Sequence, residues 1–310
     1  MAGFKKAVRE NVWLKIAISG TSGSGKTMSA LRVTKGLAEK CNSDIAFIST
    51  EKSRSLYYAD KFNYDILELE KYSPEDYING INEAVKAGYK IIIIDSLSHG
   101  WQWLNDTHSK MPGNSFQNWG KLKPRWQNLM KAILGSPAHV FVLSRAKTEW
   151  AMEEKNGKTT PTKVGLGVEG DKQQDFEYTV SFMLQQGTHI AAVDNGGKDN
   201  TGLYDGQYNI LTEEDGVKLY NWANSGSAPS KLSMDTMAVD NTLAAPVDDL
   251  ASIKAEIIAM CNALGGTANT ELMTTLKSYI PSGNPNAFKS ADKAGECLAK
   301  LKTIAPVSAN

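Results

Sequence analysis

With 310 residues, 41% of them hydrophobic, the chain suffices for one large core and a small second unit. It has no apolar run of about eighteen residues and no apolar h-region at its N-terminus, so neither a membrane span nor a signal peptide is expected, and the protein reads as soluble and cytoplasmic. Thirty-four basic residues balance 34 acidic ones, which excludes a bulk charge signal, and the scattered Cys41, Cys261 and Cys297 exclude a zinc or disulfide framework.

From about residue 13 to 224 short apolar runs alternate with amphipathic stretches, the pattern of an α/β fold with a mainly parallel sheet. The first predicted strand, 14–19, leads directly into Gly20-Thr21-Ser22-Gly23-Ser24-Gly25-Lys26-Thr27, and a helix is predicted from 27 to 37. The glycines let the backbone curl so that several N–H groups face one phosphate, and the following helix adds its positive N-terminus. Lys26 supplies a cation for the β and γ phosphates, and Thr27 a hydroxyl for magnesium. This segment implies ATP and Mg2+.

The second strand, 45–50, ends at Glu51, and the third, 91–95, is four isoleucines followed by Asp95. That run lacks alternation, as expected of a central strand covered on both faces. Asp95 has the position of the carboxylate that holds magnesium. Residue 96 is Ser, so the Asp-Glu pair that places a base beside the metal ligand in many hydrolytic phosphate-loop enzymes is absent. Glu51 is the alternative base, because parallel neighbouring strands would bring it beside Asp95 to orient a water. A fourth strand spans 140–144, and three short strands at 178–184, 189–194 and 207–211, separated by Gly-rich turns, are expected to add antiparallel hairpins at the sheet edge.

At these residues the sequence resembles the RecA-type recombinase core. Phe47-Ile48-Ser49-Thr50-Glu51, Tyr57-Tyr58-Ala59-Asp60-Lys61-Phe62, Tyr72-Ser73-Pro74-Glu75-Asp76 and Ile94-Asp95-Ser96 follow that family's order and spacing, and the likeness covers about residues 13 to 212. It implies a RecA-like ATPase fold with Glu51 as catalytic base and Tyr58 stacked on adenine. The family's γ-phosphate switch, usually Gln, falls here on Ser144 or Arg145, and Arg145 is left between contacting phosphate, pairing with a surface carboxylate and facing DNA. Lys198-Asp199-Asn200-Thr201-Gly202-Leu203-Tyr204 is similar to a segment of phage RecA-like ATPases of the single-strand annealing kind. There a basic residue reaches the neighbouring subunit's ATP, so Lys198 is implied as a catalytic finger in trans and ATP as lying between subunits of a homo-oligomer.

By the same resemblance, two loops, about 106 to 121 and 146 to 172, would hold DNA. Between 110 and 135 stand Lys110, Lys121, Lys123, Arg125 and Lys131 with no acidic residue, and Trp101, Trp103, Trp119, Trp126 and Trp150 lie in the same third of the chain. Lysines track a phosphate backbone while exposed aromatics stack on bases, so Lys110, Trp119, Lys121, Lys123 and Arg125 are candidates for single-stranded DNA, with Lys158 and Lys163 at a basic hairpin tip. The tryptophans suit core packing as well.

Residues 225–247 read as a linker after a core of 1–224, and 248–310 as three helices (248–264, 269–279 and 291–301) forming a small domain. That domain is either a passive cap or a dock for a single-strand-binding protein. The expected whole is an ATPase promoting annealing or recombination in a phage or prophage setting. The alternatives are a protein-directed loader or remodeller and a small-molecule kinase.

Overall fold

The computed structural model describes residues 4, 6–155, 158–170, 178–193, 198–227, 250–266, 269–289 and 291–304, and side chains at 148–166, 251, 252, 255, 291 and 292 lie outside the description. Two compact units are present, Met1–Ala244 and Ala245–Asn310.

The larger unit is built on parallel strands β1 (Lys15–Gly20), β2 (Ile45–Ser49), β3 (Asp65–Glu68), β4 (Ile91–Asp95), β5 (His139–Lys155) and β7 (Val180–Leu184), in the order β3-β2-β4-β5-β1-β7. Antiparallel strands extend it: β6 (Lys158–Val168) pairs with β5, while β8 (Ala191–Ala192) and β9 (Lys198–Asp199) pair with β7. This is the expected fold class, a mainly parallel α/β sheet with antiparallel additions and a separate small helical unit.

The isoleucine run shows why β4 is central. Ile91 and Ile93 join one core cluster while Ile92 and Ile94 join the other, and all four are fully buried. On the first face pack α1 (Lys26–Cys41) and α5 (Glu213–Ala223); on the second, α2 (Pro74–Lys86), α3 (Ser98–Lys110) and α4 (Ser115–Gly135). Ser73 and Asp76 form a capping box that fixes the start of α2. Helices α1 and α5 approach so closely that a Cβ on Gly36 would lie 1.9 Å from Glu213 O and one on Gly216 2.0 Å from Val33 O.

Two expectations about topology need correcting. The strand at 180–184 is not antiparallel: β7 runs parallel to β1 from Ile16↔Val180 to Gly20↔Leu184, so it continues the parallel sheet rather than folding back on it. The long hairpin is β5–β6 instead, since the fourth strand continues past Ser144 to Lys155. The stretch 106–121 is not a loop either; it is the end of α3, a short link and the start of α4.

In the smaller unit, helices Leu250–Ala263, Thr270–Tyr279 and Ala291–Leu301 enclose Ile257, Leu272, Leu276, Cys297 and Leu301. The predicted linker falls largely outside the described residues.

Candidate nucleotide-binding site

The phosphate loop forms because β1 ends at Gly20 and α1 begins at Lys26, leaving a short connection that must curl. Gly23 (φ 78°) and Gly25 (φ 91°) take the left-handed conformation that L side chains resist. At Gly20 a Cβ would meet Ser24 Oγ at 2.4 Å and Leu184 O at 2.9 Å. The turn between β7 and β8 braces the loop from outside, with His189 Nδ1 donating to Ser24 O at 2.9 Å and Gln186 Nε2 donating to Ser22 O at 3.4 Å.

A cavity of about 200 Å³ opens on this loop, lined by Ser22, Gly23, Lys26, Thr27, Glu51, Arg54, Tyr57, Tyr58, Asp95 and Arg145, among others. Register explains the convergence. Ser49 pairs with Asp95 across β2 and β4, Asp95 with Leu143 across β4 and β5, and Gly20 with Arg145 across β5 and β1, so all the strand ends open on one edge.

Lys26 Nζ donates to Gly20 O and Thr21 O, both at 3.0 Å, and burial lowers its pKa. Thr27 Oγ1 donates to Asp95 Oδ2 at 2.6 Å. Burial raises the Asp95 carboxyl to about 6, with the Thr27 hydrogen bond opposing the rise. Thr21 Oγ1 and Ser24 Oγ are buried with no hydrogen-bond partner among the described residues. Such orphaned groups are costly unless something else satisfies them. The residues present fit both expected groups. The loop offers hydroxyls, inward-facing backbone and a cation for phosphate, and Thr27 with Asp95 offers oxygen donors, the ligand type magnesium takes. Among the described residues no group of three or more His, Cys, Asp or Glu could hold a metal.

Glu51 precedes the 3-10 turn Lys52–Tyr58 and is held by cations: Arg145 Nη2 lies 2.6 Å from its Oε1, and Arg54 Nη1 3.7 Å from its Oε2. Arg145 pairs with a carboxylate inside the cavity, Glu51, rather than with one at the surface. Tyr58 packs against the core while lining the cavity, and Tyr57 beside it is mostly exposed.

His99 escaped the sequence reading because it belongs to no motif. Its Nδ1 shares a 2.6 Å hydrogen bond with Thr50 Oγ1, its Nε2 lies 3.8 Å from Glu51 Oε1, and its ring stacks on Tyr72. Burial, followed by the nearby Arg145 charge, lowers its pKa. Arg54 and His189 went unnoticed for the same reason.

Lys198 is not at this cavity in its own chain. It pairs with Ser181, which sits in register with Ala17, three residues short of Gly20.

Among the DNA candidates, Lys110, Lys121 and Lys123 are exposed. Arg125 is a correction: it is buried, bonds Glu75 through two contacts of 2.9 and 2.6 Å, and lies over the Trp103 ring. It joins α4 to α2 and is closed to a phosphate backbone. Trp119 is half-buried, with its ring stacked on Trp101 and His108. The side chains of Trp150, Lys158 and Lys163 lie outside the description, and so does the turn at 156–157. No helix among the described residues is long and apolar enough to cross a membrane.

A search of curated proteins finds no match. Among solved structures, the KaiC-like protein PH0186 from the hyperthermophilic archaeon Pyrococcus horikoshii OT3 is similar at 17% identity, over 54% of this chain and 69% of that one, with a TM-score of 0.30. The profile of the AAA domain family designated AAA_24 matches residues 13–202, from the start of β1 to just beyond β9, and so spans every element that lines the cavity. The chain belongs to that AAA domain family and carries a phosphate-loop ATPase core.

Proposed function

We propose that this protein hydrolyses ATP, binds single-stranded DNA and promotes its annealing or recombination as an ATP-dependent oligomer. The observation that carries the reading is the place of Arg145. Its side chain reaches Glu51 in the cavity, its amide donates to Ser98 Oγ at 2.8 Å, and its carbonyl accepts from Glu169 N at 2.7 Å at the base of the β5–β6 hairpin. One residue thereby ties the nucleotide cavity to a long hairpin whose outer strand carries Lys158 and Lys163.

In this reading Lys26, Thr21 and Ser24 bind the phosphates. Thr27 and Asp95 hold magnesium, which when bound neutralises charge on the terminal phosphates. Glu51 orients the attacking water and accepts its proton. To do so it must release Arg145, whose guanidinium is then free to meet the γ phosphate, and that exchange passes the nucleotide state to the hairpin. Lys198 acts on the ATP of a neighbouring copy, as the similarity to annealing ATPases suggests.

The test is phosphate release with and without single-stranded DNA, together with the particle mass with and without ATP. Stimulated turnover and an ATP-dependent rise in mass are expected. If single-stranded DNA neither accelerates turnover nor binds across a salt series, the DNA part of the reading fails.

A further inference from the structure

We infer that the exposed face of α4 is a single-strand nucleic-acid platform on which Phe116 stacks a base and Lys123 and Lys131 hold the phosphate backbone. This rests on the DNA reading above and places the contact on a helix face, with a different aromatic from the expected Trp119.

Helix α4 has two sharply different sides. Leu122, Arg125, Trp126, Leu129, Met130 and Ile133 face the core. Opposite them Phe116, Gly120, Lys123, Gln127 and Lys131 follow at i, i+4, i+7, i+11 and i+15, the spacing of a single row, and all five are exposed. The row is about 22 Å long at 1.5 Å per residue. Phe116 is 87% exposed, an apolar ring with no cover in its own unit. The next position in the row is Gly120, where a Cβ would meet nothing within 4 Å, so no packing requires glycine there and its absent side chain leaves an open floor beside the ring. Pro124 has no N–H to give to the Gly120 carbonyl, which leaves an acceptor on the same stretch for a base N–H.

Charge selects the occupant. No Asp or Glu occurs from residue 107 to 148, and Glu75, the carboxylate bonded to this helix, is neutralised by Arg125 on the buried side. An aromatic ring with an open floor, followed by lysines and no carboxylate along the row itself, matches a polyanion with flat apolar bases. Stacking on such a ring is tolerant of sequence, and lysine contacts make the binding salt-dependent.

The experiment is anisotropy of a fluorescein-labelled oligothymidylate titrated with the full chain across a salt series, comparing wild type with Phe116→Ala, Phe116→Trp, Gly120→Leu and the pair Lys123→Ala/Lys131→Ala. Phe116→Ala and Gly120→Leu should each weaken binding about tenfold with little change in salt slope. Phe116→Trp should restore it, with its indole fluorescence quenched by the oligonucleotide. The lysine pair should reduce the salt slope by about 1.4. Wild-type binding that none of these variants alters would overturn this assignment and leave the DNA reading standing. A wild type that does not bind removes both. Unchanged oligonucleotide binding with lost ATP-dependent self-association would make the face a contact between copies and also overturn it.

Discussion

Arg145 Nη2 and Glu51 Oε1 lie 2.6 Å apart, so the carboxylate that we propose acts on water is held by the cation that we propose meets phosphate. Lys26 beside them donates to the carbonyls of Gly20 and Thr21. Glu51→Gln should preserve nucleotide binding and lower turnover by about 10² to 10⁴, the usual contribution of a positioned base. Binding of a fluorescent ATP analogue beside phosphate release checks both halves, and normal turnover would remove Glu51 from its role.

Lys26→Ala should weaken ATP binding by at least about tenfold, since a charge-assisted hydrogen bond contributes about 1.5–3 kcal/mol. Calorimetric titration measures it. The fold should survive, because the hydrogen bonds of Lys26 Nζ among the described residues go to the loop's own carbonyls.

Arg125 and Lys123 are two positions apart and should behave oppositely. Arg125→Ala leaves Glu75 buried without its partner and should cost about 3–5 kcal/mol. Lys123→Ala, on the exposed face, should change stability by less than about 0.5 kcal/mol. Denaturant unfolding of the two variants separates them.

Two glycines give a second opposed pair. Gly216→Val drives a side chain toward Val33 O, 2.0 Å from its Cβ, and should destabilise by about 3 kcal/mol or prevent folding. Gly120→Ala has open space in a helix interior and should stabilise by about 0.5–1 kcal/mol. Thermal melting of both is sufficient.

Lys15 supplies a pH dependence. It is buried at the far end of β1, donates to Ser136 O, Ser136 Oγ and Ala138 O, and burial lowers its pKa from 10.5 to about 7. Between those values the unfolded chain binds more protons than the folded one, so stability from this group rises with pH from about 7 toward 10.5 and is lost as pH falls through 7. Its slope approaches about 1.4 kcal/mol per pH unit. Lys15→Met should flatten that slope in denaturation curves taken across the window, whatever the variant's absolute stability; equal slopes in both proteins would refute the assignment.

The sequence by itself determined the phosphate loop, its strand and helix, Asp95 at the end of a doubly covered strand, and Glu51 at the end of the next. These are legible because each depends on contiguous residues: glycines where φ must be positive, an unbroken apolar run, a polar residue where that run stops. Only the tertiary structure decided which partners meet. Arg145 and Glu51 are brought together by strand register across β2, β4 and β5, and His99 and His189 reach the site from a helix and a turn with no motif of their own. The helix α4 shows the limit most clearly. Composition marked its basic residues as one group, but two positions turn a side chain by about 200° around the helix axis. That rotation puts Arg125 in the core and Lys123 in solvent, and three positions separate the stacked Trp119 from the exposed Phe116.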